Sequence, residues 1–177
     1  DSGAEWRAGR NVRAVPQPPS GTVTFLFTDI EGSTRLWEEQ PEAMRASVAE
    51  HDTRFRAAID SNGGFLVKAT GDGFHAAFGR AADAVVAAEQ CQAAIADLPD
   101  LKVRMGINTG EVQERDGDYF GPPVNRAARL MAAGHGGQVL IAAVTAELVP
   151  GLVLRTLGEH RLRDLGSPML VWQLGGG

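Results

Sequence analysis

Two aspartates stand where strands end or turn. Asp29 closes the apolar run TFLF-Thr and precedes Ile30-Glu31-Gly32-Ser33-Thr34. Asp72 lies in Thr70-Gly71-Asp72-Gly73, a tight turn between the strand-like runs FLVKAT and FHAAF. A carboxylate at the end of a hydrophobic strand is costly unless it is paired, hydrated or metal-bound. Two carboxylates brought together repel, and a divalent cation with oxygen ligands resolves that repulsion. Mg2+ commonly takes one or two carboxylates and keeps positions for water and substrate phosphates. The Glu-Gly-Ser-Thr segment then offers backbone N–H groups to phosphates where a helix begins. Each aspartate alone has a plainer reading. Asp72 suits a glycine-flanked turn, and Asp29 suits a helix cap near Ser33 and Thr34. The metal reading rests on the pair.

A second set of polar residues lies downstream. Lys68 interrupts the apolar run of its strand and reads either as a ligand-facing cation or as a snorkelling edge lysine. Asn125 and Arg129 stand four apart at the start of a helix, so they project from one face. Asp118 precedes Asn125 by seven residues, in the loop that leads into that helix. Arg126 is about 100° away around the helix and reads as a surface residue.

The elements that must position these residues follow from pattern. GTVTFLFTDI is rich in Thr, Val and Phe and reads as a strand. Pro41 sits near the start of a helix that runs through EAMRASVAEHDTRFRAAIDSN and stops at Gly63-Gly64. A hairpin follows over 65–78, then an alanine-rich helix from about Arg80 to Leu98, ended by Pro99. LKVRMGINTGEV reads as a strand with a glycine-containing turn, and PPVNRAARLMAA as a helix with proline at its start. QVLIA, a short helix near AAVTAEL, and the runs LVLRTLG and MLVWQL complete the chain. The expected fold class is therefore α+β, with a ferredoxin-like βαββαβ core, an antiparallel sheet, helices on one face, and additional C-terminal strands with a short helix. In that core the first strand lies beside the third. Asp29 and Asp72 come within reach of each other.

Bulk properties bound the rest. At 177 residues the chain suits one domain, expected over 21–177, after an arm or linker over 1–20 that lacks apolar periodicity and ends in a proline cluster. A net charge of −5 argues against a broad nucleic-acid-binding surface. No apolar run reaches the roughly 18 to 20 residues of a membrane span. The single cysteine, Cys91, excludes an intrachain disulfide framework, fits a reducing, cytoplasmic setting, and reads as a packing residue. His51, His75, His135 and His160 show no ligand-like spacing, and Trp37 and Trp172 read as packing residues.

FTDIEGST, TGDGF and DYFGPPVNRAARL, together with Lys68, resemble the class III nucleotidyl cyclases, which make cyclic AMP or cyclic GMP. The resemblance covers about residues 21–174. It implies that Asp29 and Asp72 hold two divalent cations, Mg2+ or Mn2+, with the Ile30 backbone carbonyl as a further ligand. It implies that Lys68 and Asp118 read the purine, that Asn125 orients the ribose, and that Arg129 stabilises charge on the reacting phosphate. In the family the metal aspartates come from one subunit and the other four residues from its partner. A homodimer of this chain then builds two equivalent shared sites at an isologous interface. A lysine donating to adenine N1 and an aspartate accepting from the N6 amine favour ATP, because guanine reverses both groups. The expected activity is that of an adenylate cyclase, within a chain that leaves room for a further regulatory domain. The rivals are a guanylate or relaxed-specificity cyclase, and a catalytically silent nucleotide-binding dimerisation module. A diguanylate cyclase shares the broad strand plan but not FTDIEGST or Asn-x-x-x-Arg. The family's lysine for the β- and γ-phosphates has no clear counterpart in GEHRLRDLGSPM, where Arg161 and Arg163 are the candidates.

Overall fold

A computed structural model describes residues 17–175. The arm expected over 1–20 lies outside the described residues except for its last four. Strand β1 (Gly21–Ile30) is followed by helices α1 (Ser33–Glu39) and α2 (Pro41–Ser61). The hairpin β2 (Phe65–Ala69) and β3 (Gly73–Phe78) leads into α3 (Ala81–Ala94) and the long strand β4 (Val103–Arg115). Then come β5 (Asp118–Phe120), α4 (Pro122–Ala133), β6 (Val139–Ala142), α5 (Ala143–Leu148), β7 (Leu154–His160) and β8 (Met169–Leu174). The main sheet runs β2-β3-β1-β4-β6-β8-β7, and β5 pairs with β4. Its first four strands are antiparallel, the expected ferredoxin-like core with β1 beside β3.

The alternation of β1 builds two layers from one strand. Leu26 and Ile30 face a core shared with Phe55 and Ile59 of α2 and with Val85, Ala88 and Cys91 of α3. Val23 and Phe25 face the opposite side, packing with Ala77, Tyr119 and Ala127 of α4. The core helices α2 and α3 thus cover one face, while the added helix α4 crosses the other. Cys91 is fully buried, and Trp37 and Trp172 pack against the main core, as their sequence context suggested. Among the described residues no helix is long and apolar enough to cross a membrane.

Four local expectations change. Segment 33–39 forms its own helix, separated from α2 at Gln40. Helix α3 stops at Ala94 rather than near Leu98, because Arg54 Nη1 donates to the Ala94 carbonyl at 2.7 Å and to Asp97 Oδ1 at 2.6 Å. Strand β4 continues unbroken through Gly110 and pairs in parallel with β6, so the full sheet is mixed. Gly106 and Gly110 serve the approach of α4 instead of a turn. A Cβ on Gly106 would lie 2.7 Å from the Ala127 carbonyl oxygen and against the Met131 amide, and one on Gly110 would strike the Pro123 ring.

The close seat of α4 on β4 gives a direct test. Gly106→Ala must push the α4 backbone away, so we expect a loss of about 1 to 3 kcal/mol in stability, the usual cost of overpacking. Thermal and urea denaturation measure it, and an unchanged midpoint would show that α4 yields freely.

Candidate active site

The pairing of β1 with β3 sets Asp29 opposite Gly73, one residue from Asp72. The hairpin is tied down by Ile30 N–H donating to the Asp72 carbonyl at 2.9 Å and by Phe74 N–H donating to Thr28 Oγ1 at 3.0 Å. Gly73 permits this contact, since a Cβ there would collide with the Thr28 carbonyl oxygen. Turn and strand end therefore meet because a glycine stands at the crossing.

Each aspartate has partners of its own. Asp29 Oδ2 accepts from Arg104 Nε at 3.0 Å and Nη2 at 2.8 Å, across the β1–β4 ladder where the two residues are register partners. Burial pushes the Asp29 carboxyl above its usual range; Arg104 opposes that rise, and the nearby Asp72 charge adds to it. Asp72 Oδ2 accepts from Ser33 Oγ at 2.8 Å, and Oδ1 from Thr70 Oγ1 at 3.2 Å. Ser33 thus spends its hydroxyl on Asp72 and makes no cap for α1. Among the described residues no cluster of three or more His, Cys, Asp and Glu side chains forms. The donor set that exists is two carboxylates and the nearby Ile30 carbonyl, all hard oxygens of the kind Mg2+ or Mn2+ takes. Arg104 holds Asp29 through a single oxygen, Oδ2.

On the α4 side of the sheet an open groove of about 470 Å³ is lined by Asp29, Lys68, His75, Asp118 and Asn125 among others. A β-bulge aims Lys68 into it. Leu66 pairs with Ala76 but Lys68 pairs with His75, so Val67 is the extra residue and Lys68 turns to the groove face. Without the bulge Lys68 would oppose Phe74, whose ring belongs to the main core. Asp118 opens β5, its Oδ1 accepting from the Tyr119 N–H at 2.8 Å. Asn125 comes from the first turn of α4, exposed at the rim. Arg129 stands apart: its Nη2 pairs with Asp164 Oδ2 at 2.6 Å. Neither Arg161 nor Arg163 lines the groove; Arg161 faces a separate cavity of about 300 Å³ bounded by α4 and the β7–β8 region.

Two residues were not singled out from the sequence. Arg104 carries no motif in a linear reading and becomes visible only when β4 is aligned with β1. His75 was set aside for lack of ligand spacing, yet its ring lines the groove and stacks on Phe27 with centroids 4.0 Å apart and planes at 18°. The alternation of FHAAF places it on the face opposite Phe74 and Ala76, but its place beside Lys68 depends on the bulge, which a linear pattern does not display.

Residues 15–175 match the family model described as the adenylate and guanylate cyclase catalytic domain, and the chain belongs to that family. An uncharacterized protein of Mycobacterium tuberculosis is 44% identical over 164 residues, covering 89% of this chain and 57% of the relative. An adenylate cyclase of Podospora anserina is 36% identical over 165 residues, covering 76% of this chain and 8% of that protein. This chain therefore spans only part of these relatives. Among solved structures, adenylate cyclases from Trypanosoma brucei in their monomeric state superpose with a TM-score of 0.81 at 29% identity, covering 90% of this chain and 92% of theirs. The adenylyl cyclase CyaB from P. aeruginosa gives a TM-score of 0.74 at 27% identity, with 89% and 95% covered.

The buried imidazoles make stability sensitive to acid. Burial holds His75 down at about 4, with Asp118 pulling it up and Lys68 pushing it lower, and burial lowers His51 as well. Both rings are neutral in the folded protein near neutral pH, whereas the unfolded chain takes up protons as pH falls below about 6.5. Stability is therefore full above that value and lost on acidification toward pH 4. For His75 alone the loss between pH 7.5 and pH 5 is about 2 kcal/mol. Urea midpoints at the two pH values, compared between the native chain and His75→Phe, read this contribution. Equal pH dependence in both proteins would exclude it.

Proposed function

We propose that this domain is an adenylate cyclase that converts ATP to 3′,5′-cyclic AMP and pyrophosphate at a homodimer interface. The observation that carries the reading is the groove in which Lys68, Asp118 and Asn125 line one surface. In that groove Lys68 donates to adenine N1 and Asp118 accepts from the N6 amine. Guanine would place a donor against Lys68 and an acceptor against Asp118, and each mismatch costs roughly 1 to 3 kcal/mol. Asn125 orients the ribose by hydrogen bonding, and it shares a helix face with Arg129.

Asp29, Asp72 and the Ile30 carbonyl are the residues that would hold two divalent cations, Mg2+ or Mn2+. When bound, such ions lower the pKa of the ribose 3′-hydroxyl and neutralise the triphosphate. The oxygen ligands support that fit, as does an Asp29 carboxyl raised chiefly by burial and further by the Asp72 charge. The 3′-hydroxyl gives its proton to water, its oxygen attacks the α-phosphorus, the bond to the bridging oxygen of the β-phosphate breaks, and pyrophosphate departs with the electron pair. Arg129 leaves Asp164 for the α-phosphate as charge builds there, a role that suits a planar cation with several donors. Asp29 and Asp72 of one protomer work with Lys68, Asp118, Asn125 and Arg129 of its partner. The C2 dimer then carries two equivalent sites.

The test is cyclic nucleotide production by purified protein at several concentrations, with ATP or GTP and Mg2+ or Mn2+. We expect cyclic AMP from ATP, with specific activity that rises with protein concentration. Asp72→Ala should lower the rate by roughly a hundredfold or more, as loss of an electrostatic stabiliser does. Predominant cyclic GMP would overturn the roles given to Lys68 and Asp118. Bound nucleotide without any product would favour a silent binding module instead.

A further inference from the structure

His75 is nine-tenths buried, yet its Nε2 has no hydrogen-bond partner. Buried polar atoms in folded proteins nearly always have partners, so an orphan beside a ligand groove calls for a reason. The ring is not a loose filler. It stacks on Phe27 at 4.0 Å and lies 5.7 Å from the Phe25 ring, so its plane is fixed from one side by two aromatic residues of β1. Phe27, His75 and Lys68 are consecutive register partners across β1, β3 and β2, and they form a row on the groove face.

Asp118, only partly buried, lines the same groove, and its Oδ1 accepts from the Tyr119 N–H. A neutral imidazole with its proton on Nε2 is a donor, and a carboxylate oxygen is an acceptor. The unpartnered Nε2 and the Asp118 carboxylate are chemically complementary.

We propose that His75 is a specificity-determining residue that positions Asp118: its Nε2–H donates to Asp118 as a purine closes the groove and water leaves. This rests on the assignment of Lys68 and Asp118 to the base. With one carboxylate oxygen held by the imidazole, the other is presented in a fixed direction to the exocyclic group of the base. A fixed acceptor rewards the adenine amine and repels the guanine carbonyl. A carboxylate held only by the Tyr119 N–H is less firmly aimed and discriminates less. The ring stays neutral through the physiological range because burial holds its proton affinity low, so it neither competes with Lys68 for the base nor neutralises Asp118. All four residues of this arrangement belong to one chain, so it does not depend on which protomer supplies the metal aspartates.

The experiment compares the native chain, His75→Phe and His75→Gln. Phe keeps the stack on Phe27 and removes the donor, whereas Gln keeps an N–H donor. Turnover of ATP and GTP gives the ratio of kcat/KM, and calorimetric titration of ATP and GTP with Ca2+ gives the ratio of affinities without turnover. We expect His75→Phe to reduce the preference for ATP roughly tenfold, chiefly through KM, the size of one hydrogen bond to a charged group. His75→Gln should restore most of it. Thermal unfolding of each variant confirms that the comparison is between folded proteins. Ratios unchanged in both variants would overturn the role of His75 while leaving the cyclase reading intact. A native chain that binds ATP in preference to GTP but makes no cyclic product would overturn the cyclase reading, and the affinity ratios would still decide for or against His75. Equal native affinity for ATP and GTP would overturn both the base assignment and this proposal.

Discussion

The structure turns on a half-buried carboxylate at the end of a central strand. Asp29 has β3 on one side and β4 on the other, so its neighbours are dictated by two ladders at once. One ladder brings the Asp72 turn beside it, which raises the cost of its charge. The other brings Arg104, which lowers that cost through two hydrogen bonds from one guanidinium. Charge-assisted hydrogen bonds of this kind are stronger than neutral ones, and here both meet the same oxygen, Oδ2. The Asp29 carboxylate is thus held between an arginine that stabilises its charge and an aspartate that opposes it.

The same sheet explains why the polar residues meet at all. Period-two alternation sends Leu26 and Ile30 into the α2–α3 core and Phe25, Phe27 and Asp29 to the α4 side. Lys68 would fall on the wrong side by that rule, and the bulge at Val67 corrects it. Small residues then let α4 lie close against β4, bringing Asn125 and Asp118 to the groove. Packing of the second layer and assembly of the groove are therefore one event. A change that loosens α4 acts on the site without touching any polar residue in it.

Much of this was legible in the sequence, for identifiable reasons. β1 over 21–30 and the hairpin over 65–78 carry dense strand residues with a glycine-bounded turn, and local chemistry decides both. The juxtaposition of Asp29 and Asp72 followed once the strand order was inferred from the pattern of elements. What escaped depends on contacts distant in sequence. The early end of α3 is set by Arg54, forty residues before Ala94. Gly110 resembles a turn residue but answers to Pro123 across a helix–sheet contact. Arg104 and His75 gain meaning only from their register partners, which a linear motif does not display.

The positions of the two basic residues also bear on how a single chain is restrained. Arg104 is bound to Asp29 and Arg129 to Asp164, so both guanidinium groups nearest the proposed chemistry are engaged within one protomer. The pairs differ in environment. Arg104 and Asp29 are both largely shielded, whereas Asp164 is mostly exposed and its pair with Arg129 is worth little in water. A phosphate dianion outcompetes an exposed carboxylate for arginine more readily than it displaces a shielded one. The Arg129–Asp164 pair is therefore the easier of the two to exchange, and the shielded Arg104–Asp29 pair the harder.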